Sequence, residues 1–437
     1  MKIKKSKETG IGYRDIFRQK EYCKVIAASL INRFGDSIDA VAYTWVIYEI
    51  TGNAAWSAII FGLNNLPSVL VAAFAGAWVE GRKKKNVMIA TDLLRAICVA
   101  FVASAYLMGF LEVWMLVITT LTISTAEAFR GPANTALTPL VLDREYYEYG
   151  MSLQSTLSSA VQLIGIAAAG GIVALSGTAG AIYIDVATFI LSAGIILTVG
   201  VKEEHIAKER FDVKEYAGTL KEGIRYVAHN KVILYITGIG LFLNMALVPF
   251  NSLQAPLADE ILGGGAEVLS LFGIVVTLGM MLGSFTFPML QKHIAERIIL
   301  FLTGLGIGIF YIGLIVFEPV YGNRWLMCIS VVVFGGILGY TVALGSALVS
   351  VEFVKQTEKA YLARAGSIFS AVSAAAMPVT SFLVSGVVVY TGIAPLFIGG
   401  GVLGLIAGIG TLMNRILDEG QAKGSVSREE NGNNGKR

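Results

Sequence analysis

The chain has 437 residues, of which 55% are hydrophobic and only 15% charged, against about 25% charged in soluble domains. A soluble fold cannot bury that much apolar surface, whereas a bilayer accommodates it. With 49 glycines but only 9 prolines the chain is not a disordered low-complexity sequence, and its net charge of +3 gives no reason to expect a nucleic-acid partner.

In chain order, residues 1–24 form a polar basic arm without the apolar core of a signal peptide. Apolar runs long enough to cross a bilayer follow at 25–50, 54–78, 87–109, 113–131, 151–174 and 179–200, a first six-helix bundle over 25–200. Residues 201–231 are the longest polar segment. Val213, Tyr216, Leu220, Ile224 and Val227 recur there at helical spacing, which predicts an amphipathic helix along the cytoplasmic face. Six more runs, 232–257, 267–290, 298–317, 325–350, 366–390 and 394–416, make a second bundle over 232–417. Turn and charge signals such as TGN, GRKKK, SGTAG and EPVYGN separate the runs. Residues 418–437 are polar and predict a disordered cytoplasmic tail. The expected fold is all-α: twelve transmembrane helices in two pseudo-symmetric bundles. The step from Gly52 to Gly62 is echoed by that from Gly263 to Gly273, as two parallel repeats with a substrate path between them would require.

Charge orients the helices. With both termini cytoplasmic, 31 of the 34 Lys and Arg residues fall on the cytoplasmic side, the asymmetry of the positive-inside rule. This predicts a multi-pass protein of the plasma (inner) membrane. Cys23, Cys98 and Cys328 show no metal or redox spacing. His205, His229 and His293 lie in predicted loops, which excludes a membrane-buried histidine relay. No phosphate-binding glycine loop and no nucleophile motif occur, so neither enzyme activity nor a cofactor or metal is expected.

The exception to the apolar pattern is NRFGDSIDAVAYTW in the first run. Arg33 lies about 5 Å to the cytoplasmic side of the helix midpoint, with Asp36 and Asp39 straddling it. The spacing of three puts all of them on an arc of about 120°. Each would cost about 2.5–3.5 kcal/mol facing lipid, so they are expected to face a polar cavity or each other.

The order of local patterns resembles the major facilitator superfamily over roughly residues 20–415, in the branch of macrolide-efflux proteins and the enterobactin exporter. Carrying it are Gly35-Asp36, Thr51-Gly52, Leu66-Pro67, the stretch from Gly76 through Glu80, Arg82 and Lys85, Asp92-Leu-Leu-Arg95, Phe129-Arg130-Gly131-Pro132-Ala133 and Thr138-Pro139-Leu140-Val141. The resemblance implies that the loop after helix two locks one transport state, with Gly76, Glu80 and Arg82 beside Glu127 and Arg130; a topology signal alone is the other reading. The family loop carries Asp where Glu80 stands, and its second glycine is missing here. The exporter motif of helix five keeps Gly165 and Gly170 but loses its proline, which leaves a bend or simple close packing.

The resemblance divides the acids. Asp36 belongs to the shared glycine-aspartate pattern and is expected to pair with Arg33 or a neighbouring helix. Asp39 does not, and is the first candidate for proton or substrate binding, Asp185 the second; the alternative for Asp39 is a second partner for Arg95. Asp92 with Arg95, and Glu127 with Arg130, are expected to pair along their own helices. An exporter cavity is expected to draw on Tyr43, Trp45, Asn64, Asn65, Gln154, Gln162, Asn244, Asn251 and Gln254, although amides near Pro67 and Pro249 equally satisfy freed backbone groups. Pro132 and Pro378 are hinge candidates or static kinks. The expected function is proton-coupled export of an amphipathic, macrolide-like compound by a monomer through alternating access, with protons, substrate and the bilayer as its partners. An importer, a lipid or siderophore transporter, and a non-transporting channel or sensor are the rival readings.

Overall fold

The computed structural model describes residues 16–201, 203, 221–222, 224–358 and 361–414. The arm up to residue 15, the linker positions Val213, Tyr216 and Leu220, His205 and the tail from 418 lie outside them. The described residues are almost entirely helical, with no strand among them.

The helices are α1 (Lys20–Thr51), α2 (Ala54–Leu70), α3 (Ala72–Glu80), α4 (Lys84–Leu107), α5 (Val113–Val141), α6 (Tyr147–Leu197), α7 (Lys231–Ser252), α8 (Ala266–Leu290), α9 (Glu296–Val316), α10 (Arg324–Gln356), α11 (Leu362–Thr391) and α12 (Ile393–Met413). Two differ from the apolar runs. The run 54–78 is broken into α2 and α3, bent by 57°. Pro67 lies inside α2, where it removes one amide and its ring crowds the carbonyl four residues back. The runs 151–174 and 179–200 form α6, whose 51 residues would extend about 77 Å if straight. Gly177 divides it with φ 72° and ψ 170°, a backbone conformation almost confined to glycine.

Among the described residues eight helices are long and apolar enough to cross a membrane, or nine if the bent α2–α3 pair is one span. The difference from twelve runs lies at α6, counted once despite Gly177, and at α1 and α5. Those two carry charged and hydroxyl residues in mid-helix.

The chain forms two compact units, residues 1–43 with 70–210, and 44–69 with 211–437. In the first, α4 packs against α5 and α6, and α3 against α5. Its apolar end is closed by Tyr22, Met88, Leu137 and Ile196, contributed by α1, α4, α5 and α6. In the second, α8 packs on α10 and α9 on α12. Both contacts run through glycines: a methyl at Gly279 would lie 2.7 Å from the Gly336 carbonyl, and one at Gly304 2.5 Å from that of Gly404. Small residues at four-residue spacing let membrane helices approach this closely.

Pro249 opens the hydrogen-bond ladder of α7, and Tyr311 of α9 fills the gap. Its hydroxyl accepts from the Phe250 amide (3.1 Å) and donates to the Ala246 carbonyl (2.6 Å), the two groups that would otherwise bond to each other. Hydrogen bonds tie residues 44–69 to the rest of this unit. The Tyr48 hydroxyl lies 3.0 Å from Glu260 and 3.2 Å from Asp259, and Ser381 donates to the Ala58 carbonyl at 2.5 Å. Gly52 and Gly263, the pair echoed in sequence, have similar positive φ of 57° and 62°.

Gly177→Ala would force a side chain into the φ-positive break of α6. It is expected to cost about 1–3 kcal/mol, read as a lowered melting temperature of the purified protein in detergent.

Candidate functional site

The charges foreseen in the first helix sit within the first unit, where α1, α4, α5 and α6 meet. Arg95 of α4 is buried and joins three of them. Its Nη2 lies 2.6 Å from Asp36 of α1 and its Nη1 2.6 Å from Glu127 of α5. The guanidinium carbon stacks 4.2 Å from the ring centroid of Phe189 on α6. A second pair lies beside it: Arg130 of α5 is bound to Asp92 of α4, which is fully buried. Ser192 of α6 donates to the other oxygen of Asp92 at 2.7 Å. Asn32 of α1 links the pairs, its amide donating to Asp92 at 3.2 Å and its oxygen facing Arg95 at 3.4 Å.

The helix-local pairs expected from spacing are therefore exchanged. Asp92 takes Arg130 rather than Arg95 and Glu127 takes Arg95 rather than Arg130, while Asp36 takes the neighbouring-helix alternative, Arg95 of α4. Arginine's reach and several donors let it bridge helices, and the buried partner that satisfies it across a packing interface outcompetes one a turn away in its own helix. Arg33 is exposed and donates to Gln162 of α6 at 2.7 Å, so it is not one of the buried ion pairs.

Asp39 and Asp185 complete the cluster. Asp39 interacts electrostatically with Asp36 and Arg95, yet its Oδ1 is buried without a hydrogen bond. Asp185 is only 1% exposed, and Thr188 donates to its Oδ1 at 3.1 Å. It approaches α1 because Gly35 has no side chain: a methyl there would overlap Asp185 Oδ1 and Thr188 Oγ1. The cluster thus holds five carboxylates (Asp36, Asp39, Asp92, Glu127 and Asp185) against the two guanidinium groups of Arg95 and Arg130. Of the acids in these ion pairs Glu127 is the least buried, keeping 49% of its side chain exposed. Tyr43 stands one turn beyond Asp39, its hydroxyl fixed by Thr120 (3.0 Å) and Thr119 (3.3 Å).

No metal-holding group of three or more His, Cys, Asp or Glu occurs among the described residues. Residues 15–434 match the family described as transmembrane secretion effector. The chain belongs to that family, within the major facilitator superfamily. This transporter is 22% identical to an uncharacterised MFS-type transporter, YkuC of Bacillus subtilis (strain 168), over 76% of this chain and 78% of YkuC. It is also 22% identical to macrolide efflux protein A of Streptococcus pyogenes, over 82% of this chain and 87% of that protein. Its fold is similar to that of the nucleoside transporter NupG, with a TM-score of 0.69 at 14% identity over 90% of this chain and 98% of NupG.

The transporter's loop after α3 is arranged differently from expectation. Glu80 is exposed and Arg82 lies 3.9 Å over the Trp78 ring, while Glu127 and Arg130 bind Arg95 and Asp92. The four side chains are not brought together, because the deeper ion pairs already engage the two on α5. Gly76 is half-buried. Instead Glu203 caps the start of α4, accepting from the Lys84 and Lys85 amides at 2.6 and 3.0 Å. Lys24 and Lys85 donate to the Thr198 and Val199 carbonyls beyond the end of α6. Cation against helix C-terminus and carboxylate against N-terminus both suit the helix dipole.

The remaining candidates are dispersed. Asn65 and Asn244 bond to the carbonyls four residues back, Phe61 and Gly240, which is the backbone-satisfying reading. Asn64 is exposed, Asn251 and Gln254 are half-buried at the end of α7, and Gln154 faces the Tyr22 hydroxyl at 3.5 Å. Trp45 makes an edge contact with Tyr48. Gly165 packs on α1, where a methyl would meet Ser37 at 2.7 Å, and Gly170 is buried. Pro132 and Pro378 lie inside continuous helices. Sequence reasoning missed Asn32, Ser192, Thr188, Phe189 and Glu203. A polar residue one position before Arg33 was the only signal for Asn32, and Glu203 was hidden among linker charges.

Two predictions follow from this geometry. Asp92→Asn leaves Arg130 buried without its counter-charge and is expected to cost about 3–5 kcal/mol, whereas Asp39→Asn, which breaks no pair, stays within roughly 1 kcal/mol of wild type; thermal unfolding in detergent reads both. Where α1 begins, the Lys24 ammonium and then the Gly200 amide hold the Glu21 carboxyl below its usual range. A depressed carboxylate stabilises the fold above its unfolded pKa and stops doing so as pH falls through its folded value. Glu21→Gln should therefore melt below wild type at neutral pH, with the gap closing once the pH drops under 4.5.

Proposed function

We propose that this transporter is a proton-coupled exporter of amphipathic, macrolide-like compounds, working as a monomer by alternating access. The observation that carries the reading is Asp39, an acid inside a bundle with an oxygen that has no partner, beside an arginine whose charge Asp36 and Glu127 already meet. Carboxylates exceed guanidinium groups in this cluster, and an apolar medium does not hold uncompensated charge. The excess acids must carry protons, or meet a cation, in at least one state of the cycle. Asp39 and Asp185 are the coupling residues in this reading. The ion pairs around Arg95 and Arg130 hold the helices that carry them.

The likeness to a macrolide efflux protein over most of both chains supports an amphipathic macrolide-like substrate. Twelve crossings accompany the proposal: α1 and α5 span the membrane despite their charges, which face the bundle, and α6 spans it twice about Gly177. An even number leaves both termini cytoplasmic in the plasma membrane, in keeping with the distribution of Lys and Arg. Residues 25–200 and 232–417 are the two repeats, joined by 201–231.

The test uses inside-out vesicles with an acid interior. An exporter accumulates a fluorescent macrolide, and an uncoupler abolishes the accumulation. Accumulation that survives the uncoupler would overturn proton coupling, and absence of uptake under any gradient would overturn export. Asp39→Asn is expected to lower gradient-driven uptake to near background with normal protein in the membrane. If it transports normally and Asp185→Asn does not, the coupling role moves to α6.

A further inference from the structure

In the first unit, α3, α4 and α5 enclose a groove of about 430 Å³. Trp78, Ala90, Leu94, Leu121, Thr125 and Phe129 line it. Its threonine hydroxyls are already used: Thr91 bonds to the Val87 carbonyl, Thr122 to that of Ile118 and Thr125 to that of Leu121. Apart from the Trp78 indole N–H, the lining side chains are apolar or already bonded, so the occupant they suit is hydrocarbon. From Lys84 to Leu94 is about 15 Å along α4, half of a hydrocarbon core of about 30 Å, the depth of one leaflet. Ala90, Leu94, Ile97 and Phe101 follow one exposed stripe of α4, which opens the groove to acyl chains.

The mouth of the groove is charged. Trp78 packs edge-on against Phe129 at 5.0 Å, and the Arg82 guanidinium lies over its ring, 3.9 Å from the centroid. Of the four successive cations, Lys84 donates to the Glu80 carbonyl (3.0 Å) and Lys85 to that of Val199 (2.8 Å). Arg82 and Lys83 are exposed. Two acids oppose an anion there: Glu80, exposed two residues before Arg82, and Glu203, whose carboxylate accepts from the Lys84 and Lys85 amides.

We propose that this groove is a binding site for a phospholipid of the cytoplasmic leaflet with an anionic headgroup, its acyl chain lying along Trp78, Leu94 and Phe129 and its phosphate facing Arg82 and Lys83. Apolar walls ending in two cations are complementary to such a molecule from tail to head. The site is independent of the transport cluster, since none of its lining residues belongs to the ion pairs. It depends on the orientation that places the loop after α3 in the cytoplasm.

The test reads Trp78 fluorescence. A variant with Trp45, Trp56, Trp114 and Trp325 changed to Phe is placed in phosphatidylcholine nanodiscs containing a minor fraction of lipid brominated on its acyl chains. Brominated phosphatidylglycerol should quench Trp78 at lower mole fraction than brominated phosphatidylcholine, by roughly fivefold for each cation. Arg82→Gln with Lys83→Gln should remove the preference and leave the weaker quenching common to both lipids. Ala90→Phe, which fills the groove, should reduce quenching by both, and a variant keeping only Trp325 should show no preference. Equal quenching by the two lipids overturns the proposal, as does a preference that survives the double substitution. Relief of quenching by inorganic phosphate would assign the cations to a free anion instead. Should the four-Phe variant not fold, native mass spectrometry of wild type against the Arg82→Gln, Lys83→Gln protein decides: retained phosphatidylglycerol lost in the variant supports the site, and equal retention overturns it.

Discussion

The first unit depends on one buried cation. A guanidinium among apolar helices is costly alone, by several kcal/mol even on lenient scales. Arg95 offsets this only by contacting Asp36 on α1, Glu127 on α5 and the Phe189 ring on α6 together. Because those contacts come from three different helices, no partial assembly satisfies it. Asn32 then ties Arg95 to the Arg130–Asp92 pair, and Ser192 closes that pair from α6. The network does for these helices what apolar packing cannot do in a bilayer, where lipid tails are as apolar as leucine.

The second unit solves the same problem by close approach. Glycines on α8 and α10, and on α9 and α12, bring backbones together until a methyl group would not fit. Dispersion between backbones replaces side-chain charge. The interruption at Pro249 is bridged by a tyrosine hydroxyl rather than an ion. Both strategies need small residues where helices cross, and Gly35 serves the first unit as Gly304 serves the second. The difference is what the space admits: at Gly35 it is a carboxylate and a hydroxyl, Asp185 and Thr188, rather than more backbone.

The membrane-spanning, all-helical character was legible because apolar composition and run length respond to the bilayer directly, residue by residue. So was the stripe of 33, 36 and 39, since helical spacing fixes which side chains share a face. What could not be read was pairing. Arg33, Asp36, Asp92, Arg95, Glu127 and Arg130 all show three-residue spacing along their own helices, and the structure connects them across helices instead. Sequence spacing describes one helix, while the choice of partner is made by interhelical distance. The break at Gly177 was visible as a turn signal, SGTAG, although the helix resumes at once on either side of it. Glu203 shows the opposite limit: its role as a cap comes from meeting the start of α4 more than a hundred residues earlier in the chain, and nothing local announces it.

The five carboxylates are not equivalent in what a proton would disturb. A proton on Asp92 would strip Arg130 of its counter-charge, and one on Asp36 or Glu127 would leave Arg95 with half of its own. A proton on Asp39 or Asp185 breaks no ion pair: one has an oxygen without a partner and the other is held by a threonine hydroxyl. For the proposed proton exchange, these two are the sites where the cost of changing charge is decoupled from the cost of keeping the helices together. Their closeness to each other adds a further constraint. Like charges separated by apolar surroundings raise each other's energy, so the state in which both are ionised is the least favourable one. A proton shared between α1 and α6 would therefore also favour contact between those helices, and its release would weaken that contact where Gly35 lets α6 approach α1.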